Sequence, residues 1–141
     1  MVIIDSGFWL ALANKRDTFH QQAIARFPEF QPEGFITTWC VITVIIETCY
    51  LLQQRVGIDA PAALLKKVSA GAIQVFDLTP THCTQILNLM NQYRNLPMDL
   101  ADASLVILAE HLGHGRILSV DQRDFNTYRR KNTHPFQNLL I

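Results

Sequence analysis

Six of the twelve acidic residues in this 141-residue chain fall where a catalytic cluster would need them. Asp5 follows the apolar run VII, and Asp121 and Asp124 follow a second apolar run that begins at Arg116. Asp99 and Asp102 sit one turn apart at the head of a helical stretch, and Glu47 lies within VITVIIETCYLL. Oxygen donors without Cys or His select hard cations, Mg²⁺ or Mn²⁺. Such an ion keeps several waters and leaves room for phosphate oxygens. Two of them can activate a water and stabilise the leaving oxygen of a phosphodiester.

Each acid also has a simpler reading. Asp5 can cap a following helix, Asp99 and Asp102 resemble a capping box, and Asp121 with Asp124 can shape a turn. Glu47 is harder to explain that way. No Lys or Arg follows it until Arg55, and a carboxylate buried without a partner costs several kcal/mol or protonates. A bound cation or a polar cleft accounts for it better. Taken together, these coincidences favour a functional cluster.

Several rival chemistries lack their signatures. The chain has no G-x-x-x-x-G-K-[ST] loop, no G-x-G-x-x-G fingerprint and no H-E-x-x-H. The first strand ends in Asp5-Ser6-Gly7 rather than D-x-D. Cys40, Cys49 and Cys83 show no C-x-x-C spacing and read as reduced thiols, which suits a cytoplasmic protein.

The elements that must carry these residues alternate. Strands are expected at Val2 to Ile4, Phe35 to Thr38, Ile73 to Phe76 and Arg116 to Val120, with a last short one at Asn138 to Ile141. Helices are expected at Phe8 to Ala13, His20 to Phe30 (capped by Asp17 or Thr18), Val41 to Arg55, Ala60 to Ala70, Pro80 to Tyr93 and Asp99 to Leu112. The stretch Asp121 to Asp124 reads as a polar turn. This alternation predicts a single α/β domain over residues 1–141, three-layered α/β/α, around a parallel sheet of four or five strands. Ligands bind such sheets outside the carboxyl ends of the strands, where the acids fall.

Composition narrows the partners. Hydrophobic residues make up 49% and charged residues 17%, which excludes intrinsic disorder. Twelve Lys and Arg balance twelve Asp and Glu, so a nucleic acid must be met by a local patch rather than by bulk charge. The most apolar stretch is too short to span a membrane, and the amino terminus does not read as a signal peptide.

VIIDSGFWLAL, VIIETCYLL, MDLADASLVILAE and ILSVDQRDF together resemble the PIN domain, and in particular the toxin ribonucleases of VapBC toxin–antitoxin systems. The resemblance covers essentially the whole chain in the expected order. It implies a Mg²⁺- or Mn²⁺-dependent endoribonuclease with Asp5, Glu47, Asp102 and Asp121 as its four catalytic acids. Asp5, Asp102 and Asp121 would hold metal, and Glu47 would orient the attacking water. Asp99 and Asp124 are accessory acids, and Ser6 and Ser119 auxiliary polar groups. Arg116, Arg123, Arg129, Arg130 and Lys131 are candidates for the RNA backbone. The resemblance also implies a small antitoxin partner and a homodimer, with Phe8, Trp9 and Phe27 on apolar faces available for contact. An alternative from another class is a PIN-like RNA-binding or scaffold module that keeps the acids without cleaving.

Overall fold

Val2–Ile4 forms β1, three apolar residues buried on both faces, as a central strand of a parallel sheet requires. In the computed structural model, which describes residues 1–39, 44–96 and 98–141, each of the first three strands is followed by a pair of α-helices. Helices α1 (Ser6–Ala13) and α2 (His20–Phe30) lead to β2 (Phe35–Trp39), and α3 (Val44–Arg55) and α4 (Pro61–Ser69) to β3 (Ile73–Asp77). Then come α5 (His82–Gln92), α6 (Leu100–Leu112), β4 (Arg116–Leu118) and α7 (Gln122–Thr127). The chain closes with a two-stranded ribbon, β5 (Arg129–Arg130) against β6 (His134–Pro135), and β7 (Gln137–Asn138).

The main sheet has five parallel strands in the order β3-β2-β1-β4-β7. The period-two alternation of β1 divides the core. Ile3 joins Ile117 and the inward faces of α5, α6 and α7. Val2, Ile4 and Leu118 point the other way, into a cluster with Phe8, Trp9, Leu52 and Leu64 from α1, α3 and α4. Helices thus cover both faces, giving the three-layer α/β/α arrangement read from the sequence.

Several local expectations need correction. The stretch from Asp121 is no mere turn: it is the N-cap and first turn of α7, closed at Tyr128. Helix α2 is capped by neither Asp17 nor Thr18; its N-cap is Phe19, and Asp17 instead accepts a bond from the Phe19 N–H at 2.9 Å. The final strand is Gln137–Asn138, placed there by pairing with Arg116 and Ile117. The expected helix start at Val41, with Cys40 before it, lies outside the described residues. Phe8 and Trp9 are interior, Trp9 packing edge-on against Phe27 and Phe35, so they offer no surface for a second subunit.

Candidate active site

Strand order reverses at β1: the chain moves from β1 to β2 on one side, and later places β4 on the other. A crevice opens at the carboxyl ends of strands on either side of such a switch point. Asp5 follows β1 and Ser119 follows β4, one step beyond the register pair Ile4 and Leu118. That register explains their contact. Ser119 Oγ donates to Asp5 Oδ2 at 2.7 Å, and the Ser6 N–H donates to Asp5 Oδ1 at 2.7 Å.

Three acids are positioned by capping. Asp5 adopts extended backbone and caps α1. Asp99 caps α6 by accepting from the Asp102 N–H at 2.8 Å, and Asp121 caps α7 by accepting from the Asp124 N–H at 3.1 Å. The capping readings are therefore correct, and they do not compete with a functional cluster. Capping is the means by which helix N-termini bring carboxylates to the edge of the sheet, and the positive ends of the helix dipoles offset part of their repulsion.

Glu47 is half-buried on α3, and Ser6 Oγ donates to its Oε1 at 2.5 Å. Its partner is thus a hydroxyl one residue from Asp5. A close approach fixes this corner: a Cβ on Gly7 would sit 2.3 Å from Val120 Cγ2, so only glycine lets α1 lie against the segment between Ser119 and Asp121.

The electrostatics identify the centre of the cluster. Asp5 is 5% exposed, and burial pushes its carboxyl up to about 6. The negative charges of Glu47 and Asp99 add to the rise, against the lowering bonds from Ser119 and Ser6. Burial likewise raises Asp102 to about 8, with the charges of Asp5, Asp99 and Asp121 adding to it. Asp121 is raised as well, by burial first and then by Asp124. Among the described residues, the ion pairs are Arg26–Glu29, Arg116–Glu33 and Arg123–Asp124, so no cationic side chain is ion-paired with Asp5, Glu47, Asp102 or Asp121. An oxygen-only donor set with surplus negative charge fits a hard divalent ion. No three metal-ligating side chains converge into a finished shell among the described residues. Mg²⁺ asks for less: one or two carboxylates, with water and substrate phosphate completing its coordination.

One residue of this site escaped the sequence reading. Tyr128 is fully buried, packed edge-on against Tyr93 and Phe125, and its hydroxyl donates to Asp102 Oδ2 at 3.0 Å. Burial and the neighbouring Asp102 charge push the phenol pKa upward, so it remains a donor. An aromatic residue behind an acidic helix gives no signal in the sequence beyond apolarity.

The sequence matches the PIN domain family over residues 2–131. This chain belongs to the PIN domain family. It is 31% identical over 128 residues to ribonuclease VapC26 of Mycobacterium tuberculosis, covering 91% of this chain and 92% of that protein. Its fold matches the crystal structure of Mycobacterium tuberculosis VapC20, a sarcin–ricin loop cleaving toxin. That match has a TM-score of 0.78 at 21% identity, covering 87% of this chain and 92% of the other.

Within this PIN domain, the basic residues nominated for RNA do not stay together. Arg116 begins β4, so it lies at the edge opposite the acids, where it forms a two-pronged ion pair with Glu33. Parallel strands separate their two ends, so the structure does not bring Arg116 to the acids. Arg129 is largely committed to closing α7, with Nη1 donating to the carbonyls of Asn126, Thr127 and Tyr128. Arg123 is exposed on α7, with its Nε bonded to Asp124 at 3.0 Å. Asp124 itself is 6% exposed and bound by that arginine, which suits a structural role better than a metal-binding one.

Proposed function

We propose that this chain is a Mg²⁺- or Mn²⁺-dependent endoribonuclease of toxin type. The observation that carries the reading is the pair Asp5 and Asp102. Burial raises the pKa of both carboxyls at the switch point, the Asp5 charge adds to the rise at half-buried Asp102, and no cationic side chain is paired with either among the described residues. Family membership and the name of the 31%-identical relative support the same chemistry.

Asp5 and Asp102 would hold the ion, with Asp121 beside them. Bound there, a divalent ion supplies Lewis acidity toward the phosphate and lowers the pKa of water. The chain's own groups do the rest. Ser119 and the Ser6 N–H fix the plane of the Asp5 carboxylate, and Tyr128 fixes that of Asp102. Ser6 Oγ occupies Glu47 Oε1, leaving Oε2 to orient the attacking water and take its proton. Arg123, Arg130 and Lys131 remain as backbone contacts for the RNA.

The deciding experiment is cleavage of a panel of structured RNAs with Mn²⁺, Mg²⁺ or chelator, comparing wild type with Asp5→Asn. Metal-dependent cleavage lost in the variant supports the reading. RNA binding without cleavage in any metal would replace it with the non-catalytic binding module. The same reading includes a small antitoxin, action in the cytoplasm and a homodimer. The dimer would use Ile46 and Tyr50 on α3 and Leu87 on α5, which are exposed, in place of the buried Phe8 and Trp9. No helix among the described residues is long and apolar enough to cross a membrane.

A further inference from the structure

A polar hollow of about 210 Å³ lies between α5, α6 and the turn that joins β5 to β6. Gln85, Asn88 and Gln92 line it from one stripe of α5, at spacings of three and four residues that share a helix face. Glu110 of α6 and Asn132 of the turn complete it. Carboxamides on two sides and one carboxylate stand over an apolar floor of Leu89 and Ile107; each carboxamide offers a donor and an acceptor side by side, the pattern that matches the edge of a nucleobase.

The turn is held in a costly shape. Lys131 and Asn132 both adopt left-handed backbone, with φ of 48° and 63°, uncommon for residues other than glycine. The Lys131 N–H donates to Glu110 Oε1 at 3.0 Å, which fixes the turn on α6 and leaves Oε2 to accept another donor.

One chain segment leads from the acid cluster to the hollow. Tyr128, whose hydroxyl touches Asp102, is followed directly by β5, and β5 runs along α6. Arg130 and Lys131 therefore lie between the cluster and the hollow. Arg130 Nε is buried without a hydrogen-bond partner among the described residues, and Lys131 is exposed. Along α6, the eight residues from Asp102 to Glu110 span about 12 Å at 1.5 Å each. That is the reach of roughly three or four stacked nucleotides at ~3.4 Å each.

We infer that this hollow is a base-recognition subsite, taking one unpaired guanine a few nucleotides from the scissile phosphate, with Arg130 and Lys131 on the intervening backbone. The inference rests on the ribonuclease reading for its substrate class. Guanine fits because its N1–H and N2 amine donate toward a carboxylate, while O6 and N7 accept from carboxamide N–H groups. Unpaired bases are also the usual targets of sequence-specific RNA recognition.

Binding tests the subsite without requiring cleavage. The Asp102→Asn protein is titrated by fluorescence anisotropy with a labelled uridine octamer carrying one guanosine, and with its inosine counterpart, which lacks the N2 amine. The guanosine form should bind roughly tenfold tighter. Adding Glu110→Gln, or separately Asn88→Ala on the exposed face of α5, should erase that difference, with thermal melts showing both proteins folded. Equal binding of guanosine and inosine, or a guanosine advantage that survives both substitutions, overturns the subsite. Failure of wild-type protein to cleave RNA would overturn the catalytic reading alone, since the anisotropy result stands independently of it.

Discussion

Replacing Asp102 by Asn should stabilise the metal-free protein while destroying its activity. The Asp102 carboxyl rises from 3.8 to about 8, first through burial and then through the charges of Asp5 and Asp99. Between those values the folded state holds a proton that the unfolded state has lost. Stability therefore falls as pH rises through this window and is fully recovered below it. At pH 7, about three pH units of the window have been crossed, at ~1.4 kcal/mol each, which sets a ceiling of roughly 4 kcal/mol. Asp102 keeps part of its surface in water, and screening reduces the expected gain to about 2 kcal/mol. For a chain of this length that is roughly 8 °C in Tm. The amide keeps an oxygen to accept the Tyr128 bond, so the substitution leaves packing largely intact. Melts in chelator from pH 4 to pH 8 should show Asp102→Asn above wild type at neutral pH, with the gap closing near pH 4. Millimolar Mn²⁺ should raise wild type, about 2.7 kcal/mol at a hundredfold excess over Kd, and raise the variant much less. A variant no more stable than wild type at pH 7, or a gap that widens in acid, would refute the electrostatic account of the cluster.

Asp5→Asn and Glu47→Gln should each abolish metal-dependent RNA cleavage while leaving the circular dichroism spectrum unchanged. Tyr128→Phe should retain the fold at a cost of about 1 kcal/mol and raise the Mn²⁺ concentration for half-maximal thermal stabilisation, because Asp102 loses its fixed orientation. Gly7→Ala should destabilise the protein by roughly 1–3 kcal/mol in denaturant titrations, since the new Cβ meets Val120. Arg116→Ala should leave RNA affinity and cleavage at wild-type levels, as its partner is Glu33 at the far edge of the sheet.

The order of strands and helices was legible because hydrophobic runs and turn residues marked nearly every element. The acids were legible because each stands at an element boundary or inside an apolar helix. What escaped did so for physical reasons. Helix α7 has six residues, too few to show a periodic apolar face, and its capping Asp121 looks the same as a turn residue. Strands β5 and β6 have two residues each and exist through pairing with one another. Arg116 and Arg123 flank the fourth strand in the sequence, yet that strand carries the chain from one edge of the sheet to the other, so the two do not share an edge. Glu47 read as a buried charge without a partner because its hydroxyl partner, Ser6, lies 41 residues away.

The hydrogen bonds on Asp5 have a consequence for which ion the cluster prefers. A carboxylate offers about four lone-pair positions. Oδ1 receives the Ser6 N–H at 2.7 Å and Oδ2 receives Ser119 Oγ at 2.7 Å, while the single Ser6 hydroxyl proton goes to Glu47. One position is left on each oxygen, and each oxygen already carries a donor that weakens it as a metal ligand, which disfavours a grip by both at once. Calcium, with its six to eight oxygens at 2.3–2.6 Å and its readiness to take both oxygens of a carboxylate, finds little to grasp here. A smaller octahedral ion that prefers single carboxylate oxygens and retains its waters is served well. The two serines thus act as a size filter for the metal, and Ser119→Ala, which frees a lone pair on Asp5, should narrow the gap between Mg²⁺ and Ca²⁺ in thermal stabilisation.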